Sequence, residues 1–179
     1  ALVEELARET DGNHAGVMYG YSLSGTEKLE ELPGKVLSTT SRAMEETLKN
    51  LSVKTYRSIL DILNRARRID IYSVENSNVT AQDLLTKLLY LGLNCRHLDD
   101  SYHQRICAAN LTPEDAAIGI SYSGCSKDTV EAVKTARRQG ASTIVITNFK
   151  NSPIAAFADY LICTSQDQFF YGDSIFSRT

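Results

Sequence analysis

The chain has 179 residues, of which 42% are hydrophobic, and a net charge of −3. That length supports one domain with a sizeable core plus an appendage. No apolar run is long enough for a transmembrane span or a signal peptide, and the acidic balance argues against this segment itself holding nucleic acid. Cys95, Cys107, Cys125 and Cys163 form no CxxC pair and have no histidine at ligand spacing. Neither a zinc site nor a disulfide framework is indicated, and reduced thiols in a cytoplasmic protein are expected. Cys125 stands near a helix start, where a thiol pKa can fall.

The chain opens on Ala1 without a Met, already in a helical pattern (Leu2, Val3, Leu6), and stops at Thr179 without a cap. We expect a piece of a longer protein. Residues 1–35 lack a sustained pattern, with turn signals at Asp11-Gly12-Asn13, Ser24-Gly25 and Pro33-Gly34. They read as a linker or arm whose apolar patches, Val17 to Tyr21 with Leu29 and Leu32, pack on something. Val36 to Ala66 predicts two helices, and the basic cluster Arg65, Arg67, Arg68 then suits a helix C-terminus.

Ile69 to Ser73 is the first strand, followed by Val74 to Asn78 and a helix with Ala81, Leu84, Leu85, Leu88 and Leu89 on one stripe. Thr80 and Asp83 resemble a capping box. Asn94 to Leu98 is the second strand. The carboxylates Asp99 and Asp100 after it sit where a dinucleotide fold keeps its ribose-binding acid, but the matching glycine fingerprint is absent. Tyr102 to Asn110 predicts a helix. Further on, Thr143 to Thr147 is a strand, Ser152-Pro153 starts a short helix, and Tyr160 to Thr164 is the fifth strand.

Between these lies the stretch that organises the chain. Ala116 to Ile120 is an apolar run too short for a helix, so it predicts a buried parallel strand. A helix starts near Ser126, carries Val130, Val133 and Ala136 on one face, and stops with Arg137 and Arg138 before Gly140. The turn between them, Ser121-Tyr122-Ser123-Gly124-Cys125-Ser126, places three hydroxyls and a glycine at a helix N-terminus. Unpaired amides and the helix dipole favour an anion there.

SYSGCS resembles the SxSGxT phosphate loop of SIS (sugar isomerase) domains, over roughly Val36 to the C-terminus. The resemblance implies an α/β fold: a flavodoxin-like three-layer α/β/α sandwich on a five-stranded parallel sheet in the order 2-1-3-4-5. In such a sheet, ligands sit at the carboxyl ends of strands 1 and 3. The ligand set it implies is Ser77, Ser121, Ser123, Gly124 and Ser126, with Thr147 lining the pocket. The family's first loop usually reads GxGxS; here its glycine positions carry Ser73 and Glu75, and only Ser77 matches. Glu75 then repels a phosphate or bonds a sugar hydroxyl or amine. Ser165 to Arg178 resembles the stretch that enters a last helix near the ligand.

The resemblance is strongest to the effector domains of RpiR-like (MurR/RpiR) transcription regulators. It implies a non-catalytic sensor of a phosphorylated sugar, homodimeric and without a cofactor. DNA would be bound through a helix-turn-helix domain preceding residues 1–35, with residues 36–179 as the SIS domain. Two alternatives stand beside it. An aldose–ketose isomerase would need a general base, for which Glu75, His97 and His103 are the candidates. A degenerate SIS domain would only dimerise.

Overall fold

The computed structural model describes residues 28–164, together with two short strands before them, β1 (Val17–Met18) and β2 (Tyr21–Ser22). Residues 165–178, expected to approach the ligand, lie outside the described residues. The chain divides into two compact units, residues 1–46 with 167–179 and residues 47–166. In the first, β1 and β2 pair antiparallel, and a 3-10 turn at Leu29–Glu31 leads into helix α1 (Leu32–Asn50). Pro33 and Gly34 therefore belong to the first turn of a helix and do not mark a turn before it. Proline is accommodated there because the first N–H groups of a helix have no intrahelical acceptor.

The second unit is built on five parallel strands: β3 (Ile69–Tyr72), β4 (Cys95–Leu98), β5 (Ala116–Ile120), β6 (Ser142–Thr147) and β7 (Tyr160–Cys163). Their order is β4-β3-β5-β6-β7, which is the expected 2-1-3-4-5. The sheet is covered on both faces, so its central strands are largely apolar, and alternate residues feed two cores. Ile69, Ile71, Ala116, Ile118, Ile120 and Ile144 pack with Ile59 of α2 (Val53–Arg65) and with Ala81 and Leu88 of α3 (Ser77–Tyr90). Tyr72, Ala117 and Val145 pack on the other face with Ala108 of α4 (Ser101–Ala109) and with Val130, Ala132, Val133 and Ala136 of α5 (Lys127–Arg138). Truncating a buried isoleucine such as Ile71 to alanine would cost about 2–5 kcal/mol.

Gly119 sets how closely α5 approaches the sheet. A Cβ at that position would fall 2.5 Å from Cγ2 of Val133 and 3.1 Å from Cδ1 of Ile154. Only a bare backbone lets the helix dock at this depth.

Of the three arginines expected at a helix C-terminus, two are engaged by long-range partners instead. Arg65 does cap its own helix, Nε donating to the Asp61 carbonyl at 3.0 Å. Arg67 instead donates through two nitrogens to the Asp115 carboxylate, at 3.3 and 3.2 Å. Arg68 lies 3.6 Å from both Asp70 and Asp115. Asp70 is fully buried within β3, where an unpaired charge would cost several kcal/mol. Arg96 on β4 compensates it with a bidentate pair at 2.7 and 3.0 Å, and the Tyr72 hydroxyl donates a third bond.

Helix α3 begins at Ser77, so Thr80 and Asp83 lie inside it and form no capping box. Asp83 pairs with Lys87 one turn on. Asp100 is the N-cap of α4, its carboxylate accepting the His103 N–H at 2.8 Å, which explains an acid at that position without a nucleotide.

Candidate functional site

The carboxyl end of β5 leads into the serine-rich turn. Ser121 and Tyr122 continue the pairing with the β6 side: Ser121 N–H donates to the Ile146 carbonyl at 3.1 Å, and Asn148 N–H to the Tyr122 carbonyl at 3.2 Å. Then Gly124 reverses the chain with φ +68°. Such a backbone disfavours any residue with a Cβ. Here a Cβ would also overlap the side chain of Ser152 and come within 3.0 Å of Thr147 Oγ1.

The hydroxyls brace the turn as acceptors. Ser121 Oγ accepts the Gly124 N–H at 3.1 Å, and Ser123 Oγ accepts the Cys125 N–H at 3.2 Å. Accepting from an amide leaves each hydroxyl proton available to donate. That of Ser121 makes only a long contact with Ser126 Oγ, at 3.4 Å. Ser126 is the N-cap of α5, as expected, but its side chain makes no capping bond. The first intrahelical bond runs from Val130 N–H to the Ser126 carbonyl, so the amides of Lys127, Asp128 and Thr129 have no acceptor within the helix. Three hydroxyls and these amides give the turn the donor groups that an anion cradle needs.

Thr147 and Ser152 shape this cradle from the β6 side. Thr147 is buried, and its hydroxyl donates to the Tyr122 carbonyl at 3.2 Å. Ser152 donates to the Phe149 carbonyl at 2.7 Å, and the Ile154 N–H donates to the Gly124 carbonyl at 3.0 Å. Ser152, expected only to start a short helix, thus also closes the turn from behind. At the rim the Tyr122 ring meets Phe149 edge-on, with centroids 6.2 Å apart. Partial burial pushes the Tyr122 hydroxyl pKa up.

The neighbouring strand β3 supplies the second wall. Tyr72 pairs with Gly119, so the turn after β3 and the turn after β5 leave the sheet side by side. Ser77 is half-buried at the start of α3. Glu75 is exposed and has φ 55°, a left-handed conformation found at no other non-glycine among the described residues. The family's glycine at this position therefore has a conformational reason. Ser73, at the other glycine position, is fully buried and turned inward. Its hydroxyl bonds Asn78 Oδ1 at 2.6 Å and His97 Nε2 at 2.8 Å. Gln104 Nε2 bridges the Ser73 and Leu98 carbonyls at 2.7 and 2.8 Å.

The histidines considered as bases have other surroundings. His97 is held between Ser73 and Gln82, the latter at 3.4 Å, and burial lowers its pKa against a smaller opposing pull from Asp99. His103 is exposed beside Asp100. Cys125 is exposed in the turn, its thiol 3.5 Å from the Ser123 carbonyl.

The SIS domain family model matches residues 62–173, which contain both turns. The chain belongs to the SIS domain family. An HTH-type transcriptional regulator of Haemophilus influenzae is 35% identical over 142 residues, 79% of this chain and 49% of the relative. The SIS chain spans about half the length of the curated relatives it matches. Among solved structures, the sugar isomerase domain of an RpiR transcription factor from Sphaerobacter thermophilus superposes with TM-score 0.72 at 26% identity, covering 75% of this chain and 76% of that one. The Vibrio vulnificus NanR protein, complexed with ManNAc-6P, also gives TM-score 0.72, covering 79% of this chain and 53% of that one. At 18% identity, that second likeness is one of fold.

Proposed function

We propose that this SIS domain is the sugar-phosphate-sensing, non-catalytic effector domain of a transcriptional regulator that controls carbohydrate metabolism genes. The observation that carries this reading is the serine turn. Ser121 and Ser123 accept amides of their own loop and so keep protons free for an anion, directly below the first turn of α5. In this reading Ser77, Ser121, Ser123 and Ser126 hold the phosphate, with Gly124 in the same turn. Glu75 meets the sugar from the β3 side, and Thr147 lines the pocket. The regulator relatives and the phosphosugar complex of the NanR fold neighbour support it. Residues 1–35 form an arm between a helix-turn-helix domain that binds DNA and the SIS domain at 36–179. The protein acts in the cytoplasm as a homodimer, for which the exposed Val53, Tyr56 and Leu60 on one stripe of α2 are the apolar candidates.

The test is a thermal-shift panel of sugar phosphates against the chain and its Ser123→Ala variant. A ligand at a hundred times its Kd stabilises the folded state by about 2.7 kcal/mol. A shift lost in the variant supports the reading, and a flat panel overturns it. The isomerase reading has one observation in its favour, the carboxylate of Glu75, which has no partner among the described residues. Exchange of the sugar C2 hydrogen with solvent deuterium would establish it, and none is expected.

A further inference from the structure

We infer that Glu75 selects a phosphosugar carrying a free, positively charged amine over its neutral counterparts. This rests on the proposed sugar-phosphate reading and names the ligand class within it. Three observations carry it. First, the Glu75 carboxylate has no hydrogen bond or ion pair to any described residue, although it stands on the turn beside an anion cradle. Left unpartnered, it would oppose every phosphate entering the site.

Second, the turn that presents it is built rigidly in an unfavourable conformation. Glu75 adopts φ 55°, while the backbone around it is closed by Ser77 N–H to Val74 at 3.2 Å and Asn78 N–H to Glu75 at 3.0 Å. Ser73 ties the base of the turn to Asn78 and His97, and Gln104 ties it to β4. Strain held by such a frame is the pattern of a residue placed for a ligand.

Third, the charges on the two sides of the site differ. The cradle side has Lys127 and Asp128 in the first turn of α5 and Lys150 after β6, a net positive charge of one, and neither lysine is paired with a described residue. The β3 side has Glu75. A ligand matching this arrangement is anionic at one end and cationic at the other, and an amino sugar phosphate has that pattern. Acylation of the amine removes its charge and leaves Glu75 opposed.

The test is calorimetric titration of the chain at pH 7 with glucosamine 6-phosphate, glucose 6-phosphate and N-acetylglucosamine 6-phosphate. The same titrations are run on Glu75→Gln, which keeps the shape and removes the charge. The wild type should prefer the amine by about tenfold, the size of one charge-assisted bond, and the preference should shrink with added salt. In Glu75→Gln the three ligands should bind alike. An equal or tighter fit of either neutral ligand to the wild type, or a preference that survives in Glu75→Gln, overturns the inference and leaves the sugar-phosphate reading standing. Binding of none of the three overturns both.

Discussion

Ser152 occupies the space that a side chain at Gly124 would need. The turn is therefore constrained twice, by its φ of +68° and by what lies behind it. Gly124→Ala should destabilise the domain by about 2–4 kcal/mol, combining the left-handed backbone with the overlap. Adding Ser152→Gly should recover only the overlap. Urea denaturation of the single and double variants separates the two contributions, and full recovery in the double variant would show that φ costs nothing there.

Ser121 and Ser123 differ in burial, and their alanine variants should differ accordingly. Ser121 is 2% exposed, and its hydroxyl satisfies a buried amide. Ser121→Ala should lower stability by about 1–3 kcal/mol as well as weaken ligand binding. Ser123 braces an exposed amide, so Ser123→Ala should leave stability within about 0.5 kcal/mol while costing about 1–3 kcal/mol of phosphate affinity. Denaturation and titration on both variants check the pair. Equal stability losses would contradict the division.

Glu75→Gly should make the domain more stable, although it removes a side chain. Relieving a left-handed non-glycine residue returns about 1–2 kcal/mol, and the extra freedom of glycine in the unfolded chain takes back about 0.5–1. A net gain of up to about 1.5 kcal/mol is expected, read as a rise in the urea midpoint. A fall would mean that the carboxylate stabilises the fold through an interaction of its own.

Stability should decline with acid in two separate windows. Burial holds the His97 pKa below its usual 6.5, so the unfolded chain takes up that proton first. The contribution is complete above about pH 6.5 and is lost as pH falls through the lower, folded value. Burial works to raise the Asp115 pKa, but the bonds from Arg67 and Thr112, with the charge of Arg68, outweigh it and leave it below the usual 3.8. Its contribution is present above 3.8 and disappears as pH falls beyond that. In a stability-against-pH curve, His97→Gln should flatten the first limb and Asp115→Asn the second. A curve unchanged by either variant would remove that group.

The five strands and the serine loop were legible in the sequence because their signals are local, whereas the strand order, and with it the placing of both turns at one edge of the sheet, was implied by the family resemblance. Alternation, helix stops and a hydroxyl-rich turn all lie within a few residues of what they describe. The partners of Arg67, Arg68 and Asp70 were not legible, since Arg67 meets Asp115 across 48 positions and Asp70 meets Arg96 across 26. Nothing in a helix period encodes such a pair. The start of α3 is hidden for a related reason: Thr80 and Asp83 imitate a cap, while the first turn is fixed by the Val74, Glu75 and Asn76 carbonyls accepting the Ser77, Asn78 and Val79 N–H groups. Ser152 had no sequence signal beyond preceding a proline, and its role follows only from the return of β6 beside β5.

The close seat of Val133 on Gly119 reaches beyond packing. Helix α5 carries the cradle on its first turn and is keyed to the sheet at one backbone position. A substitution at Gly119 would tilt or lift that first turn without altering any residue of the serine turn. Under the proposed function, a genetic screen for regulators deaf to their effector would return alleles here alongside those in the serine turn. The mutational footprint of ligand response would then run down β5 and the inner face of α5, deeper than the pocket itself.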